Sequence, residues 1–270
     1  MTFRAIDIAL GAPWAMEPLA LQGLLNIAAR DHDATPEALE AYRAKALANG
    51  ERAEIRGGVA IIRAIGPMFK RANLLTEISG ATSYDVMRRD LQAAVDESKV
   101  HAILLDVDSP GGEASGANEL ARAIYAARRV KPITAYVGGT GASAAYWIAA
   151  AAGEVVVDPL ALLGSIGVQV AMREQSPAKG STNYRFVSSQ SPMKNAGPGT
   201  VAGAAATQRL VDRLADVFVE SVALYRGVTP ATVLSDFGQG GVFVGAAAVK
   251  AGLADRVGSF ESVIAELGRR

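Results

Sequence analysis

VHAILLDVDSPGGEASGANELARAIYAARRVKPITAYVGGTGASAAYWIAA occupies residues 100–150. Residues 100–107 are apolar at nearly every position, as a strand covered on both faces of a parallel sheet must be. Residues 115–129 carry helical spacing, 133–137 is a second apolar run, and 142–152 is an alanine-rich helix. Strand, helix, strand, helix in succession predicts parallel strands joined by helical crossovers, an α/β core.

The alternation continues outward. Strands are expected at 59–65, 154–157 and 184–188. Helices are expected at 83–98, 200–225 (long and amphipathic), 229–236, 245–251 and 259–267. Residues 1–50 read as an N-terminal helical appendage and linker, and 51–270 as the main domain. In the appendage, Leu21, Leu24, Leu25 and Ile27 fall near one face of a helix over 19–30. A second helix starts at Thr35-Pro36-Glu37, with threonine as cap and proline in the first turn, and ends at Asn49-Gly50.

Composition removes several function classes. There are no cysteines and two histidines, His32 and His101, among 270 residues. Thiol chemistry, disulfides and a three-histidine metal site are excluded, so neither metal nor other cofactor is expected. Lys+Arg and Asp+Glu both number 27. That balance predicts no electrostatic grip on nucleic acid, and zero net charge fits a homo-oligomer. Asp7, Pro13 and Glu17 interrupt the N-terminal segment, so it reads as no secretory signal. The apolar stretch Ile133–Val157 is broken by glycines and Glu154 and reads as buried core, not a membrane anchor. A cytoplasmic location follows as the expectation.

Three loops at strand ends carry candidate chemistry. Asp108-Ser109-Pro110-Gly111-Gly112 follows the strand at 100–107. Such a turn either merely joins strand to helix, or presents backbone N–H groups, that of Gly111 first and Gly112 in support, to an oxyanion. Gly138-Gly139-Thr140-Gly141-Ala142-Ser143 leads directly into a helix. Ser143 is either a helix cap or a nucleophile in the first turn, with the amide of Ala144 completing an oxyanion hole. Leu163-Gly164-Ser165-Ile166-Gly167-Val168 reads by default as a turn between strands.

A nucleophilic serine needs a base. His101 begins the strand whose other end is the Asp108–Gly112 turn, about 20 Å away at ~3.3 Å per residue, and His32 lies in the expected linker. Lys194 sits in a segment with no carboxylate between Glu174 and Asp212. It is either a solvated surface lysine or a base whose pKa burial has lowered from about 10.4.

Taken in order, these segments resemble peptidase family S49, of the signal peptide peptidase A type, within the ClpP/crotonase superfamily. Asp108–Gly112 is similar to the family's oxyanion turn, Gly141–Ala149 to its nucleophile segment, and Gly164–Val168 to the segment after the nucleophile helix. Lys194 stands where the family keeps its lysine base, and Gly252–Gly258 matches near the C-terminus. Ala144 and Ala145 stand where the family often has glycine, and Asn-Ala-Gly-Pro after Lys194 departs from the commonest phage form. The stretch 69–84 and Pro13-Trp14-Ala15-Met16 look like the phage and prophage branch.

The resemblance implies a ClpP/crotonase-like fold and a Ser143–Lys194 dyad. It also implies an oxyanion hole from Gly111 and Ala144, and Ser165 orienting the lysine. Members of this type often build their sites in rings, with lysine and serine sometimes from different subunits. The implied activity is proteolysis of scaffold, portal or capsid proteins inside a procapsid. Two other readings share the fold: a crotonase-type acyl-CoA enzyme, and a non-catalytic capsid assembly factor.

Overall fold

The computed structural model describes residues 3–4, 10, 12–29, 33–34, 53–71, 82–172, 188–191, 197 and 199–269. Lys194, His32, the helix expected from Thr35 and residues 184–187 of an expected strand lie outside them.

The N-terminal part contains β1 (Phe3–Arg4), β2 (Pro13–Met16), α1 (Pro18–Ala28) and β3 (Asp33–Ala34). The body opens with β4 (Glu54–Arg56), β5 (Val59–Ile65), β6 (Met68–Phe69), β7 (Thr82–Ser83) and α2 (Tyr84–Asp96). Its central part holds β8 (Ala102–Ser109), β9 (Gly111–Glu113), α3 (Ala117–Ala127), β10 (Ile133–Ala142) and α4 (Ala144–Ala150). Then come β11 (Glu154–Val157), β12 (Leu162–Gly164) and β13 (Gln169–Val170). The chain closes with α5 (Val201–Arg226), α6 (Pro230–Asp236), β14 (Val242–Val244), α7 (Ala246–Ala251), β15 (Arg256–Val257) and α8 (Phe260–Leu267).

The main sheet runs β14-β12-β10-β8-β5-β4, with β11 and β15 continuing from β10. Its central pairs, β5/β8, β8/β10, β10/β11 and β10/β12, are parallel. Alternation along each strand divides the core between two faces. Ala60, Ile62, Ile103, Leu105 and Val107 join α2, α3, α4 and α5 in the larger cluster. Val59, Ile61, Ala102 and Leu104 turn the other way, onto Val263, Ile264 and Leu267 of α8. Each fully buried branched aliphatic contributes roughly 1.5–3 kcal/mol. A helix on each face is therefore what so apolar a strand requires.

Two features go beyond the sequence reading. The strand expected at 133–137 extends to Ala142 through a register shift between Val137 and Gly141. The Asp108 carboxylate accepts the Thr140 N–H at 2.9 Å and holds this bulge; a Cβ on Gly139 would meet it at 2.4 Å. The second feature is a separate five-stranded sheet, β13-β2-β9-β6-β7, built from strands of two to four residues. The chain crosses from the main sheet into this one at Pro110. Gly112 lets β6 approach, since a Cβ there would lie 2.0 Å from the Met68 carbonyl oxygen. Helix α1 matches the expectation at 19–30, whereas β2, just ahead of it, is a strand with no counterpart in the sequence reading.

The C-terminal return is tied to the body by charge. Arg226 at the end of α5 binds Asp255 through two N–H···O bonds of 2.8 and 3.0 Å, and its Nε donates to the Gly252 carbonyl. The Val155 N–H donates to the same carboxylate at 2.7 Å. Burial pushes the Asp255 carboxyl up, but the Arg226 and Val155 hydrogen bonds together hold it below the usual carboxylate range. We expect Asp255→Asn to cost about 1–2 kcal/mol, because a charge-assisted pair is lost while the carboxylate is partly solvated. For a depressed folded pKa, the wild-type advantage is fully present above the unfolded value of about 3.9 and disappears as pH falls through the folded value. Thermal unfolding of both proteins between pH 2.5 and 7 checks this, and equal differences at both ends would contradict it.

Candidate active site

Three parallel strands end side by side, and each delivers one part of the site. The last registered pair of β10 and β12 is Ala142 with Gly164, so Ser143 and Ser165 are the next residues on adjacent strands. On the other side of β10, Gly141 registers with Ser109 at the end of β8, two residues before Gly111.

Ser143 has φ 54° and ψ −120°, and connects β10 to α4. A non-glycine residue at positive φ costs of order 1–3 kcal/mol and persists only where its surroundings enforce it. The enforcement is visible: Ser143 N–H donates to the Gly164 carbonyl at 2.7 Å, and its own carbonyl accepts the Trp147 N–H at 2.9 Å. The following helix, Ala144–Ala150, is buried on all sides. Trp147 stacks on Phe218 with ring centroids 4.2 Å apart, and Tyr146 Oη donates to the Leu253 carbonyl. An all-apolar helix of this kind belongs inside the protein, and it fixes the elbow from below.

The capping alternative for Ser143 is not what the side chain does. It makes no capping hydrogen bond to its helix. Its hydroxyl instead donates to the Gly167 carbonyl at 3.4 Å. Ser143 is 1% exposed. Ala144, as the first residue of α4, has an amide outside the intrahelical ladder.

Gly111 stands against the serine. A Cβ at Gly111 would lie 3.0 Å from Ser143 Cβ and 2.3 Å from the Ala15 carbonyl oxygen, and φ there is +101°. Only glycine satisfies both constraints. Its amide donates to Ser109 Oγ at 3.1 Å. Gly112 follows in β9, paired with Ala15 of β2 on one side and Met68 of β6 on the other. Burial pushes the carboxyl of Glu113, the next residue, upward, partly countered by the Lys70 backbone N–H that it accepts at 3.0 Å. The Gly164–Val168 segment is the turn between β12 and β13 that its sequence suggested. Ser165 is 7% exposed, has φ 54°, and donates its N–H to the Gly241 carbonyl at 2.7 Å.

The structure thus brings together Gly111, Gly112, Ser143, Ala144 and Ser165. His101 is elsewhere: exposed, with Nε2 3.2 Å from the Leu267 carbonyl. Sequence reasoning missed the Ser109 hydroxyl, the Gly167 carbonyl and the approach of Ala15. The first had a signal, because serine two residues before a glycine amide often closes a local side-chain turn. Among the described residues, no cluster of three or more histidines and carboxylates is placed to hold a metal, and no helix is long and apolar enough to cross a membrane.

Comparison with known proteins matches residues 126–269 to the family described as Peptidase family S49. The chain is 31% identical over 205 residues to the head-tail preconnector protein GP5 of Enterobacteria phage P21, covering 74% of this chain and 40% of that protein. It is 29% identical over 273 residues to the capsid assembly protease C of Escherichia phage lambda, covering 93% and 62% respectively. Protease 4 of Salmonella typhi is 31% identical over 221 residues, covering 79% and 35%. The chain therefore spans less than two thirds of the length of each of these relatives. With more than half of its residues matched, and the matched part containing the Ser143 elbow, the chain belongs to peptidase family S49.

Proposed function

We propose that this protein is a serine endopeptidase in which Ser143 attacks the peptide carbonyl and Lys194 is the general base. The observation that carries the reading is the elbow itself: a serine held at positive φ between a strand and a buried helix, with its hydroxyl free of any capping role. Such a strand-to-helix turn sets the serine at the helix N-terminus, which favours developing negative charge.

In this mechanism neutral Lys194 takes the Ser143 proton as Oγ bonds to the carbonyl carbon. The resulting oxyanion is held by the amides of Gly111 and Ala144, each such donor being worth roughly 3 kcal/mol of barrier. Collapse breaks the C–N bond, the leaving amine takes the proton back from Lys194, and water then hydrolyses the acyl-enzyme by the same route. The Gly111 amide already has an acceptor in Ser109 Oγ, so the substrate oxygen replaces that hydroxyl. Ser165, next to Ser143 across the β10–β12 register, orients the lysine.

The two-sheet arrangement supports a ClpP/crotonase-like assignment for residues 51–270. Residues 1–50 act as an N-terminal appendage whose strand β2 docks on that domain. The named phage relatives support a role in head maturation, with scaffold, portal or capsid proteins as substrates inside a procapsid. Homo-oligomerisation is supported by the face of α5 that leaves Leu210, Val217 and Leu224 exposed at a seven-residue spacing.

Two measurements test the chemistry. Ser143→Ala is expected to abolish fluorophosphonate labelling and proteolysis of co-expressed capsid proteins, followed by mass spectrometry. Labelling that persists at another residue would overturn the assignment, and a crotonase-type enzyme would not be labelled at all. Lys194→Ala should lower the hydrolysis rate by about 10²–10⁴-fold, the usual contribution of a general base. Gly111→Ala keeps the N–H, but its Cβ would strike the Ala15 carbonyl and crowd Ser143, displacing the donor; kcat is expected to fall by about 100-fold, the typical effect of an oxyanion donor put out of place.

A further inference from the structure

A peptidase grips its substrate as an extended strand, through backbone hydrogen bonds to sheet edges beside the nucleophile. Two short strands flank Ser143: β9, which begins at Gly111, and β13, which follows Gly167, the acceptor of the Ser143 hydroxyl. The groove between them is filled by β2 of the same chain, for the sheet order is β13-β2-β9. β2 is antiparallel to both neighbours, with Trp14 registered on Gln169 on one side and on Glu113 on the other.

The fit is close. Glu17 N–H donates to the Pro110 carbonyl and Ala114 N–H to the Pro13 carbonyl, and Gln169 Nε2 donates to the Met16 carbonyl at 2.9 Å. The Ala15 carbonyl and Ser143 Cβ both lie within 3.0 Å of where a Cβ on Gly111 would stand, and Ala15 itself is completely buried. Yet among the β2 side chains it is Ala15 that joins the main core. Trp14 and Met16 pack with Leu21, Leu24 and Ala28 of α1 and with Phe69 in a small cluster of their own, apart from the main core. Pro13 has no N–H to add to the ladder. Units with few ties to the main core open at low free energy.

We infer that β2 is a built-in occupant of the substrate groove, and that a substrate strand enters only when Pro13–Met16 leaves it. The inference rests on the peptidase reading above. The occupant also indicates what replaces it: an extended peptide with a small side chain where Ala15 now lies.

A disulfide tests this, and the absence of native cysteines makes it unambiguous. Pro13 and Val170 are directly opposed in the β2–β13 register, within the Cα separation a disulfide spans. In the double variant Pro13→Cys/Val170→Cys, oxidation should slow fluorescein-casein hydrolysis and fluorophosphonate labelling of Ser143 at least fivefold, with recovery on reduction. Leu24→Ala, which loosens the small cluster at a distance from the groove, should speed labelling at least twofold in protein that still unfolds cooperatively. A smaller ratio between oxidised and reduced protein, or a folded Leu24→Ala protein that labels no faster, overturns the inference and leaves the peptidase reading standing. Absence of Ser143 labelling in every form overturns both. Should the cysteine pair prevent folding, the Leu24→Ala comparison decides alone.

Discussion

The site depends on how little room there is where β8, β10 and β12 end. At Gly111 a methyl group would strike both the Ala15 carbonyl and the serine, at Gly112 the Met68 carbonyl, and at Gly164 the Gly241 carbonyl at 2.5 Å. Backbone is packed directly on backbone around Ser143. Hydrogen bonds between main-chain groups then hold the serine at a φ it would not choose, chiefly the 2.7 Å bond to the Gly164 carbonyl. Stored strain of this kind survives because the rest of the core over-determines it. The buried α4 and the paired β10 leave the elbow no relaxed alternative.

How much of this the sequence disclosed follows from element length. Strands of seven or more residues with both faces apolar, such as Val59–Ile65 and Ala102–Ser109, announce themselves by composition, and so do the amphipathic helices. The second sheet does not, because two to four residues cannot display a period of two. Pro13-Trp14-Ala15-Met16 is hardest of all: proline ahead of an apolar helix suggests a lead-in, whereas the strand is dictated by partners at Gly111–Glu113 and Gln169–Val170, about 100 and 155 residues away in sequence. The extension of β10 beyond Val137 was hidden likewise, since Gly138-Gly139-Thr140 looks like a loop until the Asp108 carboxylate is placed beside it.

The candidate site was more legible than the sheet that surrounds it. Glycines at 111 and 112 and a serine entering an alanine-rich helix at 143 are local signals, and local signals survive without knowledge of the partners. What they could not convey was engagement: that the Gly111 amide is already satisfied by Ser109, or that the Ser143 hydroxyl turns to Gly167 instead of its own helix. The first is a local turn that the Ser-Pro-Gly spacing permits without requiring, and the second joins segments that only tertiary structure brings together.

The surroundings of Ser143 also bear on what kind of base could serve it. A histidine base is normally oriented by a third group, usually a carboxylate. The carboxylates nearest in sequence to the oxyanion turn are already committed, Asp108 to the Thr140 amide and Glu113 to the Lys70 amide, and His101 is bound to the far end of the body through the Leu267 carbonyl. Among the described residues, Ala15, Gly111, Ala144, Gly164 and Ser165 stand close to the elbow. An amine needs no orienting carboxylate, and it would be harmed by one, because a nearby negative charge would keep it protonated. A hydroxyl such as that of Ser165 and a wall of small apolar side chains are what a neutral lysine requires. On the proposed reading, in which Lys194 is the base, such surroundings suit an amine that sheds its charge.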